Sequence, residues 1–134
     1  MTAPSGRARP RVLLADDNAA LLARAVSILA DSCDIVGTAR DGVVAIDLAT
    51  ELNPDVIVLD VSMPGRNGLE VAAAVRARGL TSALVFVSAH DDEEFLEVAR
   101  AAGGLAYVVK PRLSTDLVPA VAAASEGRPF FGAS

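Results

Sequence analysis

The sequence predicts a single α/β domain: a doubly wound, five-stranded parallel sheet in the order 2-1-3-4-5 with helices on both faces. Three observations predict it. Five short apolar runs, rich in valine, recur at residues 12–15, 35–39, 56–59, 84–87 and 106–109. Between them lie segments whose apolar residues are three and four apart, the spacing of an amphipathic helix. The residues of greatest chemical interest follow the ends of the apolar runs, where an open parallel sheet places its ligand site.

Each element follows in order. Residues 12–15 are apolar throughout, as a strand covered on both faces should be. Asp16 and Asp17 come next, and Asp17 or Asn18 starts a helix whose inner face carries Leu21, Leu22, Val26 and Leu29. The run 35–39 is the second strand; it contributes no reactive residue, and the strand order places it at the sheet edge. Val43, Ile46 and Leu48 mark the second helix. The run 56–59 leads to Asp60. Asn67 then caps a helix bearing Leu69, Val71 and Val75. The run 84–87 leads to Ser88, and Asp91 caps a helix over residues 92–102 with Phe95, Leu96 and Val98, ended by Gly103 and Gly104. The run 106–109 leads to Lys110. Ser114 is the expected cap of the last helix, which carries Leu117, Val118 and Val121. Pro119 removes one backbone hydrogen bond there, so that helix is expected to start late or bend.

Composition narrows the function classes. With 134 residues the chain fits one domain with a real core. Hydrophobic residues make up 52% and charged residues 22%, which suits a folded globular protein and argues against disorder. The apolar runs are too short to span a membrane. Residues 1–10 read as a flexible polar tail with two prolines and no apolar core of a signal peptide. Residues 11–126 form the domain, and 127–134 form a tail or the start of a linker. Cys33 is the single cysteine, which excludes an internal disulfide, suits a reducing cytoplasm and fits a small buried hydrophobe. The net charge of −5 includes the basic tail, so the folded part is more acidic still and lacks a nucleic-acid footprint. Of twelve basic residues only Lys110 is lysine. A compact ammonium and a planar guanidinium are not interchangeable at a tight anionic site.

Taken singly, these polar residues have ordinary explanations. An aspartate after a strand is most often a helix cap, and Ser88 could be a turn hydroxyl. Together they describe a site. Three carboxylates at one rim repel one another unless a cation joins them. Oxygen ligands without His or Cys select a hard ion, Mg²⁺ or Mn²⁺. An ionised carboxylate can attack phosphorus without a general base. Its obstacle is anion–anion repulsion, which a metal and Lys110 would relieve. Ser88 can bond a remaining phosphoryl oxygen and so pull on the loop that leads to the fourth helix.

The motifs resemble those of bacterial response-regulator receiver domains, most closely the NarL/LuxR type. They are Val12-Leu13-Leu14-Ala15-Asp16-Asp17-Asn18, Val58-Leu59-Asp60-Val61-Ser62-Met63-Pro64-Gly65, Asn67-Gly68-Leu69-Glu70, Val87-Ser88-Ala89 and Tyr107-Val108-Val109-Lys110-Pro111. The resemblance covers about residues 11–126 and implies the flavodoxin-like receiver fold. It implies that Asp60 is the phosphoacceptor, that Asp17 binds Mg²⁺ directly and Asp16 largely through water, and that the Ser62 carbonyl is a further ligand. Lys110 would contact the phosphoryl group, and the Lys110-Pro111 bond would be cis. Ser88 and Tyr107 match the family's switch residues, Ala89 is small where the phosphoryl pocket stays open, and Ser62 and His90 sit where side chains tune phosphoryl lifetime. The resemblance also implies a sensor histidine kinase as donor, self-catalysed phosphotransfer and autodephosphorylation, and phosphorylation-dependent homodimerisation. Output would pass through the face of helix 4, strand 5 and helix 5, controlling transcription by a DNA-binding domain outside this chain.

The departures are few. Ser88 stands for the commoner threonine, and Gly103-Gly104 is expected to loosen the turn into the last strand. Pro119 clouds any inference about a helix-5 interface. A dehalogenase-type phosphatase would need a second acid two residues after Asp60, where Ser62 stands. A nucleotide-binding domain would need a glycine-rich loop after the first strand. A stand-alone receiver acting by protein–protein contact, or a pseudo-receiver that never takes phosphate, are the remaining alternatives; the second usually lacks part of the acidic set or the lysine, and all are present here.

Overall fold

All five valine-rich runs are strands of one sheet. In the computed structural model, which describes residues 9–89 and 93–131 and the side chains of all of these except 93–95, the chain alternates strand and helix. The order is β1 (Arg11–Ala15), α1 (Ala19–Leu29), β2 (Asp34–Ala39), α2 (Gly42–Leu52), β3 (Val56–Asp60), α3 (Gly68–Ala77), β4 (Ala83–Ser88), α4 (Glu93–Ala101), β5 (Ala106–Val109), a 3-10 turn (Lys110–Arg112) and α5 (Leu113–Ser125). The strands are parallel and lie in the order β2-β1-β3-β4-β5, as expected.

The apolar runs lack alternation because both sheet faces are buried. Val12, Leu14, Val56, Val58, Val85, Val87 and Val108 pack toward Leu22 and Leu29 of α1 and Leu117 and Val121 of α5. Their sequence neighbours Leu13, Ile57, Leu59, Leu84, Phe86 and Tyr107 point the other way, against Ile46 of α2, Val71 and Val75 of α3 and Ala99 of α4. Three residues assigned to helix faces lie outside this core. Val43, Val98 and Val118 are 53, 43 and 37% exposed. Each is one helical step of about 100° from its buried neighbours, enough to turn it to the solvent side.

The caps follow side-chain chemistry. The Asn18 side chain accepts from Leu21 N–H at 3.0 Å, so Asn18 rather than Asp17 starts α1. Asn67 and Glu70 form a reciprocal capping box, each bond 2.9 Å. The expected Asp91 cap falls outside the described residues, as does the Phe95 side chain. Ser114 is not a cap. α5 begins one residue earlier, at Leu113, whose side chain is buried and is driven into the core by the 3-10 turn that precedes it. The Ser114 hydroxyl instead accepts from Arg24 of α1 at 2.6 Å. The helix therefore starts early, not late, and runs through Pro119. Its first turn is held by Arg112, which donates to Asp116 at 2.9 and 3.3 Å.

Gly103 and Gly104 tighten the entry to β5 instead of loosening it. Gly103 adopts φ +92°, which disfavours other residues, and a Cβ on Gly104 would lie 2.6 Å from the Phe86 ring. Described residues beside both chain ends make contacts with the domain. Arg9 donates to the carbonyls of Ala30 and Cys33, and Pro10 accepts from Asp34 N–H. Phe130 makes a parallel bridge to Ala106 on the outer edge of β5. No helix among the described residues is long and apolar enough to cross a membrane.

Candidate functional site

Parallel register gathers the polar residues. β1 and β3 pair Ala15 with Leu59, so the next residues, Asp16 and Asp60, emerge side by side at the carboxyl end of the sheet. β4 pairs Val87 with Asp60 on one side and Ser88 with Val109 on the other, which brings Ser88 and Lys110 to the same rim. Residues 22 to 94 positions apart in the chain thus converge without any local sequence relation among the strands.

The carboxylates of Asp16, Asp17 and Asp60 each offer an oxygen, and these oxygens lie within 4.8 Å of one another. Asp60 is 2% exposed and Asp16 7%, while Asp17 opens to solvent. Asp16 is held by its own backbone N–H on the Ala39 carbonyl at 3.0 Å, and its Oδ1 accepts from Asn18 N–H at 2.8 Å. One Asp60 oxygen accepts from Ser62 N–H at 3.2 Å, and the other accepts from Lys110 Nζ at 3.3 Å. Ser88 is buried, and Ser62 is exposed.

The charges do not balance. Burial, and then the charge of Asp16, push the Asp60 carboxyl up to about 6, against the opposing pull of Ser62 N–H and Lys110. A buried carboxylate held this high is short of positive charge. The remedy that fits the donor set is a hard divalent cation, because every available ligand is oxygen. Asp16, Asp17 and Asp60 are the side chains that could hold it.

Two glycines shape the approach to this rim, Gly42 and the Gly68 that follows Asn67. A Cβ on Gly68 would lie 2.4 Å from the Asp60 carbonyl oxygen, so only glycine lets α3 begin this close to β3. A Cβ on Gly42 would meet the Arg66 carbonyl, so the loop after β3 rests on the start of α2. In sequence each looks like an ordinary helix start, and the close approach that demands glycine is a tertiary contact.

One expectation is corrected and one is left open. The Lys110–Pro111 peptide is trans, because β5 passes directly into the 3-10 turn with the proline in its first positions, where fixed φ and a missing N–H are tolerated. Tyr107, matched above to the family's switch aromatic, is 4% exposed and packs in the core layer that holds Leu59 and Phe86. His90 falls outside the described residues.

The chain is similar to known proteins. The model of the response regulator receiver domain matches residues 12–122. The chain is 37% identical over 112 residues to the transcriptional regulatory protein PdtaR of Mycobacterium tuberculosis, a match covering 83% of this chain and 54% of that one. It is also 37% identical over 121 residues to the probable transcriptional regulatory protein NarL of the same organism, covering 88% and 56%. The chain therefore spans about half the length of these curated relatives. The solved signal receiver domain of that putative NarL superposes with a TM-score of 0.85 at 35% identity, over 90% of this chain and 98% of that one. The chain belongs to the family of response-regulator receiver domains of two-component systems, and is similar to the NarL type.

Proposed function

We propose that the chain is a phosphorylation-activated switch that takes a phosphoryl group from a sensor histidine kinase onto Asp60. The observation that carries this reading is the buried Asp60 carboxylate, set against Asp16 and Asp17 with Lys110 Nζ 3.3 Å away. A metal ion, Mg²⁺ or Mn²⁺, would be held by Asp16, Asp17, Asp60 and the Ser62 carbonyl, and would supply charge neutralisation of the phosphoryl oxygens. The chain's own residues do the rest. An Asp60 oxygen forms the new bond to phosphorus as the donor's phosphorus–nitrogen bond breaks. With its carboxyl at about 6, Asp60 is mostly ionised at neutral pH and needs no base. Lys110 turns from the carboxylate to a phosphoryl oxygen, and the Ser88 hydroxyl takes another. Hydrolysis of the acyl phosphate at the same site would reset the switch.

Ser88 ends β4 and Tyr107 lies on the adjacent strand, opposite Phe86. Recruitment of Ser88 would be felt first by the segment into α4 and by β5, the face through which the domain would act. Control of transcription is supported by the relatives, which are named transcriptional regulatory proteins; a DNA-binding region outside this chain would carry it. Phosphorylation-dependent dimerisation fits the same reading, with output as a stand-alone receiver its rival.

Intact mass after incubation with acetyl phosphate and Mg²⁺ tests the core of it. One phosphoryl group should appear on the wild type and none on Asp60→Asn or after chelation. Failure of beryllofluoride to bind the wild type as well would refute the phosphoacceptor role.

A further inference from the structure

β5 lies at the edge of the sheet, and an edge strand offers a row of backbone groups to any extended segment that reaches it. That edge is filled by the chain itself. Phe130 N–H donates to the Leu105 carbonyl at 3.0 Å, and Tyr107 N–H donates to the Phe130 carbonyl at 2.9 Å. The two bonds flank Ala106 in the pattern of a parallel bridge. The side chains obey strand alternation too. Phe130 packs against the core layer under α1 and α5, while Phe131 packs against the opposite layer with Tyr107 and Leu96. The Phe131 ring also lies under the Arg100 guanidinium, 4.4 Å from its centroid, in the last turn of α4.

The approach is built into the end of α5. Gly127 adopts φ +77°, and Arg128 N–H returns to the Ala123 carbonyl at 2.8 Å, which closes the helix and reverses the chain toward β5. Pro129 has no N–H to donate and limits the pairing to the residue that follows it. The segment is thus aimed at the edge but held by few bonds, and it touches two elements at once: β5 through backbone, α4 through the aromatic ring.

We propose that the outer edge of β5, together with Arg100, is a docking surface for a short extended aromatic segment, occupied by the chain's own residues 129–131 as a sixth, detachable strand. Occupied, the surface ties β5 to the end of α4; vacated, it offers the same edge to another segment of this chemistry. The assignment is independent of the phosphorylation reading, since it uses no residue of the carboxylate cluster.

Amide hydrogen exchange on the whole chain tests it. In the Phe130→Ser/Phe131→Ser double variant, exchange at the Tyr107 amide should rise by about tenfold or more, while the Phe86 amide in the adjoining strand stays protected. A peptide of residues 126–134 added to that variant should restore Tyr107 protection. Unchanged Tyr107 exchange in the double variant would overturn the proposal, as would a peptide that restores nothing. Loss of wild-type Tyr107 protection on dilution, in step with a falling molecular mass, would show that a second copy supplies the strand and would overturn occupation in cis. If the double variant also loses Phe86 protection, Phe131→Leu decides, since it keeps an apolar side chain but offers Arg100 no ring: faster Tyr107 exchange supports the docking surface, and an unchanged rate sinks it.

Discussion

Two buried carboxylates, Asp60 and Asp116, are 2 and 4% exposed, yet they are treated in opposite ways. Asp116 accepts two bonds from Arg112, at 2.9 and 3.3 Å, and a third from the Thr115 hydroxyl at 3.2 Å. It sits in the first turn of α5, where the helix dipole also favours a negative charge. Asp60 has one lysine beside it, with two carboxylates close by, and is pushed up to about 6. One acid is neutralised by partners from its own helix and turn, and serves the fold. The other is left short of positive charge at the end of a strand, a cost the rest of the core must carry. The difference separates a carboxylate that stabilises from one kept reactive.

Changing each acid or its partner should separate the two roles. The largest effect is expected at Asp60. Asp60→Asn should abolish phosphoryl uptake and yet raise stability in metal-free solution at pH 7 by about 1–3 kcal/mol, read by urea unfolding. The sign follows from the raised carboxyl. In the folded chain Asp60 holds its proton to about pH 6, whereas the unfolded carboxyl releases it near about 3.9. Stability is therefore greatest below the unfolded value, falls as pH rises from about 4 to about 6, and levels off above that. This part of the pH profile should vanish in Asp60→Asn; a parallel profile in both proteins would contradict it.

Arg112→Met should lower stability, read as an earlier urea midpoint, because it strips a buried carboxylate of its charged partner while the exposed arginine itself is well solvated. Acetyl-phosphate labelling of Asp60 should survive that change. Loss of labelling in a folded Arg112→Met protein would mean that the two acids are not independent.

The smallest effect is ligand stabilisation. Mg²⁺ at about ten times its dissociation constant should stabilise the wild type by about 1.4 kcal/mol, seen as a higher Tm. The gain should shrink in Asp17→Asn and be absent in Arg112→Met only if Asp116, against expectation, communicates with the site. Equal gains in wild type and Asp17→Asn would remove Asp17 from the metal set.

Much of the fold was legible because its signals are local. Valine-rich runs without alternation report strands buried on both faces, and right-handed crossovers leave few ways to order five of them. The capping box at Asn67 and Glu70 needs only residues three apart. The site was legible for a related reason: Asp16, Asp60, Ser88 and Lys110 each follow a strand, and a parallel sheet puts all such positions at one rim. What escaped were features that depend on which atoms meet. Ser114 reads as a cap, but the need to bury Leu113 starts α5 earlier. Val43, Val98 and Val118 read as core, but each lies one helical step from its buried neighbours and faces solvent.

The sequence by itself determined the parallel sheet, its order and the set of polar residues at the strand ends, because period, run length and position after a strand are properties of neighbouring residues. Only the tertiary structure decided how charge is shared among Asp16, Asp17, Asp60 and Lys110, why Gly68 and Gly104 must be glycine, that Lys110–Pro111 is trans, and that Phe130 closes the sheet edge. Those outcomes depend on distances of a few ångströms between residues far apart in the chain, and electrostatic and steric energies change steeply over such distances.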